Sequence, residues 1–322
     1  CGMFAVANGA GGLVAARALL GFGTASFLMA PVALYARWFP PEQFSTLAGI
    51  QLGLGSFGAI FATAPLAYAT ASFGWRMTFL GVGGCAALIG VLVWLIVTDD
   101  PPGVKSTPHN ETLRENIAGI WQVIRTPSMV RVFMAQLSSY PSFVLIVGLW
   151  GGPYLTHVYG HDIKGRGDIL FIAALTQVLG SFFWGPTDRL FGRYKVPVLI
   201  GLGICFTSLV LLVTLGTLSL PLLLIVFAMI GFSTGMTSVV MSHGRSLVAP
   251  HLLGRTITLL NIGTMGGGFL VQFVSGTIIN LFPTEAGAYP LEAYRVVFAL
   301  QAVLVAAGFL AYWGSRESHP GR

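Results

Sequence analysis

Val196–Gly216 reads VPVLIGLGICFTSLVLLVTLG, a run without a single charged side chain that begins directly after Lys195. About 20 apolar residues in a helix are long enough to cross a hydrocarbon core of roughly 30 Å. A helix also satisfies its own backbone hydrogen bonds, which lipid cannot do. The sequence therefore predicts that this segment spans a membrane as a helix.

The rest of the chain repeats this pattern. Hydrophobic residues make up 55% of the 322 positions and charged residues 9%, against about 25% charged in an ordinary soluble domain. Apolar runs bounded by charges or turn residues predict nine complete spans. These lie near residues 13–36, 47–71, 75–97, 130–156, 168–187, 196–216, 219–241, 256–281 and 294–313. The fold class is an all-α membrane protein.

The basic residues of the chain indicate its orientation. Of the 17 Lys and Arg residues, 12 fall on one side of the predicted spans and 5 on the other. Positive residues favour the cytoplasm, so the linker at 98–128 and the C-terminus are predicted to be cytoplasmic. The net charge of +6 forms no basic patch with interleaved aromatics, so no nucleic-acid partner is expected.

The linker contains a helix signal. Thr112 and Glu115 have the spacing of a capping box, and apolar residues come after them at helical spacing. We expect a short amphipathic helix on the membrane surface; a partner-binding helix is the alternative.

The beginning of the chain and its cysteines carry little chemistry. The chain starts at Cys1 without an initiator Met, and the apolar run from Cys1 to Asn8 is too short to span. We expect this run to be the tail of a helix cut off upstream. Three cysteines far apart predict neither a disulfide framework nor a metal site.

The two halves of the sequence resemble each other in three places, in the same order. The matches are Pro41–Gln43 with Pro250–Leu252, Gly49 and Gly53 with Gly263 and Gly267, and Trp75–Phe79 with Tyr294–Phe298. Two similar bundles can flank a central cavity and expose it alternately to each side. Interfacial anchoring explains each aromatic–Arg pair alone, but it does not explain the shared order.

Several motifs resemble those of the major facilitator superfamily. Arg17–Gly23 (RALLGFG) is similar to the RxxxGxG motif of the fourth helix, and Pro40–Gln43 resembles the loop after that helix. Gly185–Arg193 (GPTDRLFGR) resembles the loop signature between helices eight and nine, with one extra residue before its second Gly. The Trp/Tyr-Arg openings resemble the starts of helices six and twelve.

This resemblance implies two pseudo-symmetric bundles, six plus six helices in a full protein, with about two and a half helices missing here. It divides the chain into the remainder of the N-terminal bundle at 1–97, a cytoplasmic linker at 98–128, and the C-terminal six-helix bundle with a short tail at 129–322.

The resemblance also implies which helices face the cavity, and polar or aromatic side chains in the spans supply the candidates. Arg17 lies inside an apolar span, where a charge costs about 2.5–3.5 kcal/mol and needs a partner or water. An interfacial Arg reaching the headgroups is the alternative. The substrate-cavity candidates are Arg17, Gln136, Tyr140, Trp150, Ser233, Thr237 and Asn261.

The loop signature implies a conformational latch formed by Asp188, Arg189 and Arg193. By resemblance it would join the two halves on the cytoplasmic side, and a contact present in one conformer biases the population toward it, here toward outward-open. A solvated turn is the alternative. His157 and His161 stand four residues apart, but without a second ligand group we expect exposed histidines and no metal site.

The predicted function is secondary active transport of a small organic solute by alternating access. The predicted location is the plasma membrane, as the inner membrane of a bacterium. A non-transporting solute sensor or assembly protein is the alternative. An intramembrane enzyme would need clustered acids, bases or a nucleophile, which the spans lack.

No cofactor is expected. The partners are the solute, the lipid bilayer and a coupling proton or ion. No Asp or Glu lies in the middle of a span, so coupling either uses the missing helices or does not involve protons in this part.

Overall fold

The computed structural model describes most of the chain. The described residues are 1–25, 27, 29–39, 47, 50–51, 54–55, 57–98, 113–249, 252–284 and 287–318. Regular structure in these residues is helical. Pro40–Gln43, Gly49, Gly53, Pro250 and His251, which carry parts of the predicted repeat and motifs, lie outside the described residues.

The helices succeed one another with short connections. In chain order they are α1 (Gly2–Val6), α2 (Ala10–Thr24), α3 (Met29–Trp38), α4 (Ala64–Ile96), α5 (Leu113–Ile124), α6 (Met129–Leu145), a π-helical segment (Ile146–Trp150), α7 (Gly151–Tyr159), α8 (Ile163–Trp184), α9 (Thr187–Phe191), α10 (Lys195–Thr214), α11 (Leu220–Thr234), α12 (Thr237–Ser246), α13 (Leu253–Ile279) and α14 (Leu291–Trp313).

Seven helical stretches of the described residues are long and apolar enough to span a membrane, whereas the sequence predicted nine. The six predicted spans from 130 onward are all present. The seventh stretch, Phe57–Ile96, includes the predicted span 75–97 and the described end of 47–71. These two meet at Gly74, whose φ of 75° and ψ of 154° interrupt the helical geometry.

The predicted span 13–36 is divided into α2 and α3. Pro31 is the third residue of α3, a position where its missing N–H has no intrahelical acceptor. The proline is therefore compatible with the start of a new helix, and each piece is shorter than a span.

The predicted span 130–156 also changes its geometry partway. Pro141 lies inside α6, and the helix widens into the π-helical segment before α7 begins. Pro141 has no N–H for the carbonyl of Leu137. Gly267 of α13 packs against that carbonyl so closely that a Cβ on Gly267 would collide with it. A helix bend thus coincides with a close approach of two helices.

Two compact units make up the structure, Cys1–Asn110 and Glu111–Arg322. In the first, α1 packs on α4, where the Phe4 and Phe79 rings stack 5.0 Å apart. The Arg76 guanidinium donates to the carbonyl of Ala7, which ends α1. The domain boundaries predicted at 97 and 128 stay a prediction.

The second unit is a bundle of α6 to α14 held by close helix crossings. On α8 and α11, Gly180 and Gly231 each face a backbone carbonyl of the other helix, with no room for a Cβ. Trp184 of α8 donates its indole N–H to the carbonyl of Phe232 at 2.9 Å. Small residues allow such backbone contact between helices in lipid.

The predicted amphipathic helix is α5, and it belongs to the second unit. Val123 is fully buried, and Ile120 and Ile124 pack against the bundle core. Ile117 and Trp121 are exposed. The apolar face is therefore shared between the bundle and the surroundings, and attachment to the membrane surface stays a prediction.

Candidate functional site

The loop signature Gly185–Arg193 forms the short helix α9 and a tight turn. Asp188 lies in the first turn and is buried, and its Oδ1 accepts the backbone N–H of Arg189 at 2.7 Å. Gly192 has a φ of 61°, a conformation that glycine adopts without strain. The turn then lets the Arg193 N–H donate to the Asp188 carbonyl at 3.1 Å.

The C-terminal segment Gly314–Ser318 holds the start of α10, directly after this loop. Glu317 Oε1 accepts the backbone N–H groups of Tyr194 and Lys195, each at 3.1 Å. The first N–H groups of a helix have no intrahelical acceptor and favour a negative charge. Glu317 therefore caps α10 and ties the end of the chain to the signature loop.

The same segment is attached to α6 and α12. Ser128 Oγ accepts the N–H of Arg316 at 2.9 Å, and Arg131 donates to the carbonyl of Gly314. Ser246 and Ser318 share a hydrogen bond of 2.7 Å between their hydroxyls. The segment thus crosses the ends of several helices and holds them in place.

His243 is the buried centre of this arrangement. Its Nε2 lies 3.1 Å from the carbonyl of Arg316, and since a carbonyl only accepts, Nε2 carries a proton. Its Nδ1 pairs with the Tyr312 hydroxyl at 2.6 Å, and its ring stacks on Tyr194 at 5.5 Å. Burial raises the pKa of the Tyr194 phenol, and the charge of Asp188 raises it further, so Tyr194 stays neutral near pH 7.

A cleft of about 660 Å³ opens beside these residues, lined by Asp188, Arg189, Tyr194, Ser242, Arg245, Ser246 and Leu253. We call this part of the second unit the charged end. Arg189 and Arg245 are exposed there, while the carboxylate of Asp188 is held by its own turn. The structure thus brings Asp188 and Arg189 to one cleft, and Arg193 lies exposed on the adjoining turn.

The predicted cavity residue Gln136 lies in the middle of the bundle and is fully buried. Its amide Nε2 donates to Thr264 Oγ1 of α13 at 2.7 Å, while its Oε1 has no hydrogen-bond partner among the described residues. Ser233 is also fully buried and donates to the carbonyl of Ile230 in its own helix. Both side chains lie between helices of the second unit.

The other predicted cavity residues have partly or fully exposed side chains. Tyr140 contacts Phe143 at a ring distance of 6.0 Å, and Thr237 donates to the Thr234 carbonyl at 2.6 Å. Asn261 is half-buried on α13. Arg17 is exposed near the middle of α2, in the first unit.

Trp150 belongs to a cluster at the other end of the second unit, which we call the aromatic end and which comprises Trp150, Tyr154, His157, Tyr159, Tyr289 and Tyr294. The indole N–H of Trp150 donates to Ser275 Oγ at 2.8 Å. Its ring meets Tyr289 and Tyr294 edge-on at 6.4 and 6.3 Å. Edge-on packing is a favourable aromatic geometry, so Trp150 is held in one orientation.

His157 is part of this cluster, although its sequence context predicted an exposed histidine. It is half-buried, and its Nδ1 lies 2.7 Å from the Tyr294 hydroxyl. His161 stacks on Tyr159 at 6.4 Å. The described residues contain no group of three or more His, Cys, Asp or Glu side chains that could hold a metal ion.

Two buried polar groups, Gln301 and His243, were not predicted from the sequence. Gln301 donates to Ser138 and Ser142 of α6, at 2.9 and 2.8 Å. A polar side chain within a predicted apolar span was the available signal, because such groups need a partner in the bundle. It gave no indication of which partner that would be.

Comparison with known proteins gives the family. The family model described as Major Facilitator Superfamily matches residues 1–270. The galacturonate transporter of Dickeya chrysanthemi is 26% identical over 232 residues, covering 68% of this chain and 65% of that protein, just under two thirds of its length. The hexuronate transporter of Escherichia coli (strain K12) is 23% identical over 326 residues, covering 95% of this chain and 74% of that protein.

A solved structure has the same fold. The bacterial homolog of the human lysosomal transporter Spinster, in its inward-facing and unoccupied conformation, superposes with a TM-score of 0.72 at 17% identity. The match covers 97% of this chain and 79% of that one. The all-helical fold, the spans and the family match agree with the resemblance stated from the sequence, and they point to a membrane transport protein rather than an enzyme. The chain belongs to the Major Facilitator Superfamily.

Proposed function

We propose that the protein is a secondary transporter of a small organic anion of the sugar-acid class, working by alternating access. The observation that carries this proposal is the alignment with a hexuronate transporter along 95% of the chain. The relative matched over 232 residues is named for galacturonate, which has the same chemistry: one carboxylate on a hydroxylated ring.

Arg17 is the proposed partner of the solute carboxylate. It is exposed in the middle of α2, and no hydrogen-bond or ion-pair partner is found for it among the described residues. A guanidinium binds a carboxylate through two parallel hydrogen bonds. A carboxylate solute would therefore supply the partner that a charge inside an apolar helix requires.

The remaining cavity candidates are proposed to bind the hydroxylated ring. Tyr140 and Trp150 offer aromatic faces, while Thr237 and Asn261 offer hydrogen-bonding groups. Gln136 and Ser233 are fully buried, so they would reach the solute only in a conformer that separates their helices. A coupling proton or ion is part of the same proposal.

The charged end is proposed to act as the latch. Asp188, Arg189 and Arg193 lie on one turn that Glu317 and Gly192 hold in shape. A contact from this turn to the other half of the protein would exist in only one conformer and would bias the population toward it. We place this end, the C-terminus and the linker at 98–128 in the cytoplasm of a bacterial inner membrane, from the distribution of Lys and Arg.

Uptake by the full-length protein in proteoliposomes tests the function. We expect galacturonate or glucuronate to accumulate, and to be displaced by the other uronate but not by the uncharged parent hexose. A protein that binds the uronate without moving it would be a sensor, and binding of neither uronate would refute the substrate class.

The Arg17→Gln variant tests the carboxylate site. We expect uronate uptake to fall about tenfold or more, because a hydrogen bond to a charged group contributes about 1.5–3 kcal/mol. Arg125→Gln, at an exposed Arg that lies over Trp121, makes the same charge change and should leave uptake unchanged. Equal uptake by the two variants would contradict the role of Arg17.

The Asp188→Asn variant tests the latch. With a cysteine at Ser242 in the cleft, we expect faster thiol labelling from the charged end, since the conformer that closes this end is destabilised. Asp162→Asn is the matched control: Asp162 caps α8 at the other end through a 2.9 Å bond from the Gly165 N–H, and Asn is an equally good cap. No change in labelling in Asp188→Asn would rule out the latch.

A further inference from the structure

His157 makes two hydrogen bonds at the aromatic end, both to the same ring nitrogen. The backbone N–H of Tyr289 points at Nδ1 from 3.2 Å, and the Tyr294 hydroxyl approaches Nδ1 at 2.7 Å. Tyr289 lies on the connection before α14, whereas Tyr294 is in the first turns of α14. A single imidazole nitrogen thus joins α7 both to this connection and to α14.

The protonation state of this imidazole is set by its partners. A backbone N–H can only donate, so Nδ1 must present its lone pair to Tyr289. The Tyr294 hydroxyl then donates to the same lone pair. His157 is therefore neutral in this structure, with its proton on Nε2.

We propose that His157 is a proton-binding site that controls the attachment of residues 287–290 to the bundle. A proton added at Nδ1 turns this nitrogen from an acceptor into a donor. The Tyr294 hydroxyl can rotate and accept the new N–H, because a hydroxyl both donates and accepts. The Tyr289 N–H cannot do so. Proton binding therefore keeps the contact between α7 and α14 and releases only the connection.

The release would change what covers Trp150. The Tyr289 ring lies edge-on against the indole of Trp150 at 6.4 Å, and its hydroxyl donates to Asn280 Oδ1 at 2.8 Å. Movement of Tyr289 would uncover one side of Trp150 at the mouth of the proposed cavity. This consequence rests on the proposed function, whereas proton binding by His157 does not.

The charged and titratable groups on the neighbouring elements are engaged elsewhere or exposed. Arg166 of α8 donates to Thr156 at 3.4 Å, and Arg295 of α14 donates to the Val213 carbonyl. His161 stacks on Tyr159, and Glu292 is exposed in the first turn of α14. Among the described residues, His157 therefore bonds only to Tyr289 and Tyr294.

Thiol labelling of a cysteine at Ala288 tests the proposal. Cys1 and Cys85 are replaced by Ser, while Cys205 is buried and stays. The labelling rate is measured from pH 8 to pH 5.5 and divided by the rate of a cysteine at Thr217, which lies at the same end of the second unit. The division removes the pH dependence of the thiolate itself. We expect the ratio to rise several-fold on acidification.

His157→Gln is the matched variant. The Gln carbonyl oxygen can accept from both donors but does not titrate, so its ratio should stay flat across the pH range. A flat ratio with His157 present overturns the proposal, and so does an equal rise in the variant. If the His157→Gln variant does not elute as a folded monodisperse protein, Tyr294→Phe replaces it. The rise of the labelling ratio should then occur at lower pH, because the imidazolium has lost its acceptor. A ratio that rises at the same pH as in the protein with Tyr294 overturns the proposal.

The outcomes separate the two proposals. Failure of uronate uptake would overturn the proposed function and leave the labelling result standing. A labelling ratio that does not change with pH would overturn proton binding by His157, whatever solute the protein moves.

Discussion

The same arginine contact occurs once in each unit. Arg76 opens the second half of α4 and donates to the carbonyl of Ala7 at 3.3 Å. Arg295 opens α14 and donates to the carbonyl of Val213, in the last turn of α10. Carbonyls at a helix C-terminus have no intrahelical donor and favour a positive charge. Each arginine therefore satisfies the end of another helix within its own unit.

The aromatic residue before each arginine behaves differently in the two units. Trp75 is half-buried and lies under its own arginine, with the guanidinium 4.3 Å from the ring centroid. Tyr294 is fully buried and bonds to His157. The repeated element is thus the contact between an arginine and a helix end. The aromatic position has diverged, and in the second unit it meets a group that can change its charge.

Removing each arginine is the strongest test of this comparison. We expect Arg295→Ala to lower the free energy of unfolding by about 1.5–3 kcal/mol, the contribution of a hydrogen bond to a charged group. Arg76→Ala should cost less, since Arg76 is exposed and Arg295 half-buried, and water can replace an exposed donor. Unfolding monitored by SDS titration in mixed micelles measures both.

The conservative variants Arg295→Lys and Arg76→Lys serve as controls, because a lysine keeps the charge and can donate to one carbonyl. Each should retain more stability than the corresponding alanine variant. Equal costs of the two alanine variants would show that burial does not distinguish the contacts, and no cost at either site would refute their shared structural role.

Much of the fold was predictable because it obeys local rules. Length and hydropathy identified six of the spans in the second unit, and the aromatic–Arg match at 75–76 and 294–295 corresponds to the same contact in both units. Of the predicted glycine match, the structure describes only Gly263 and Gly267, and both lie at close helix contacts. A Cβ at Gly263 would lie 3.0 Å from the Phe133 ring, and one at Gly267 would lie 2.9 Å from the Pro141 ring.

The polar contacts of the site were not predictable, because they join residues far apart in the sequence. Glu317 lies in what the sequence presents as a polar tail, yet it caps a helix that begins 122 positions earlier. His157 pairs with Tyr294 across 137 positions. Composition gives the types of these residues, but only the packing of α7, α10 and α14 decides which of them meet. The predicted number of spans was wrong for two local reasons. Pro31 suits a helix start within the apolar run 13–36, and the predicted spans 47–71 and 75–97 fall in the one helical stretch Phe57–Ile96 of the described residues.

The aromatic positions provide the finer test of the comparison. Tyr294→Phe removes the bond to His157 while the Tyr289 N–H still satisfies Nδ1, so we expect a loss of about 0.5–1.5 kcal/mol at pH 8. Trp75→Leu removes a cation–π contact with an exposed arginine and an edge-on contact with the Phe79 ring at 6.4 Å. For the cation–π contact we expect about 0.5–1 kcal/mol. The pH dependence should separate them more clearly than the magnitude: acidification should increase the cost of Tyr294→Phe, since a protonated His157 needs the hydroxyl as its acceptor, and should leave that of Trp75→Leu constant. If both costs are constant between pH 8 and pH 5.5, the aromatic position of the second unit is a packing residue like that of the first, and the difference between the units lies elsewhere.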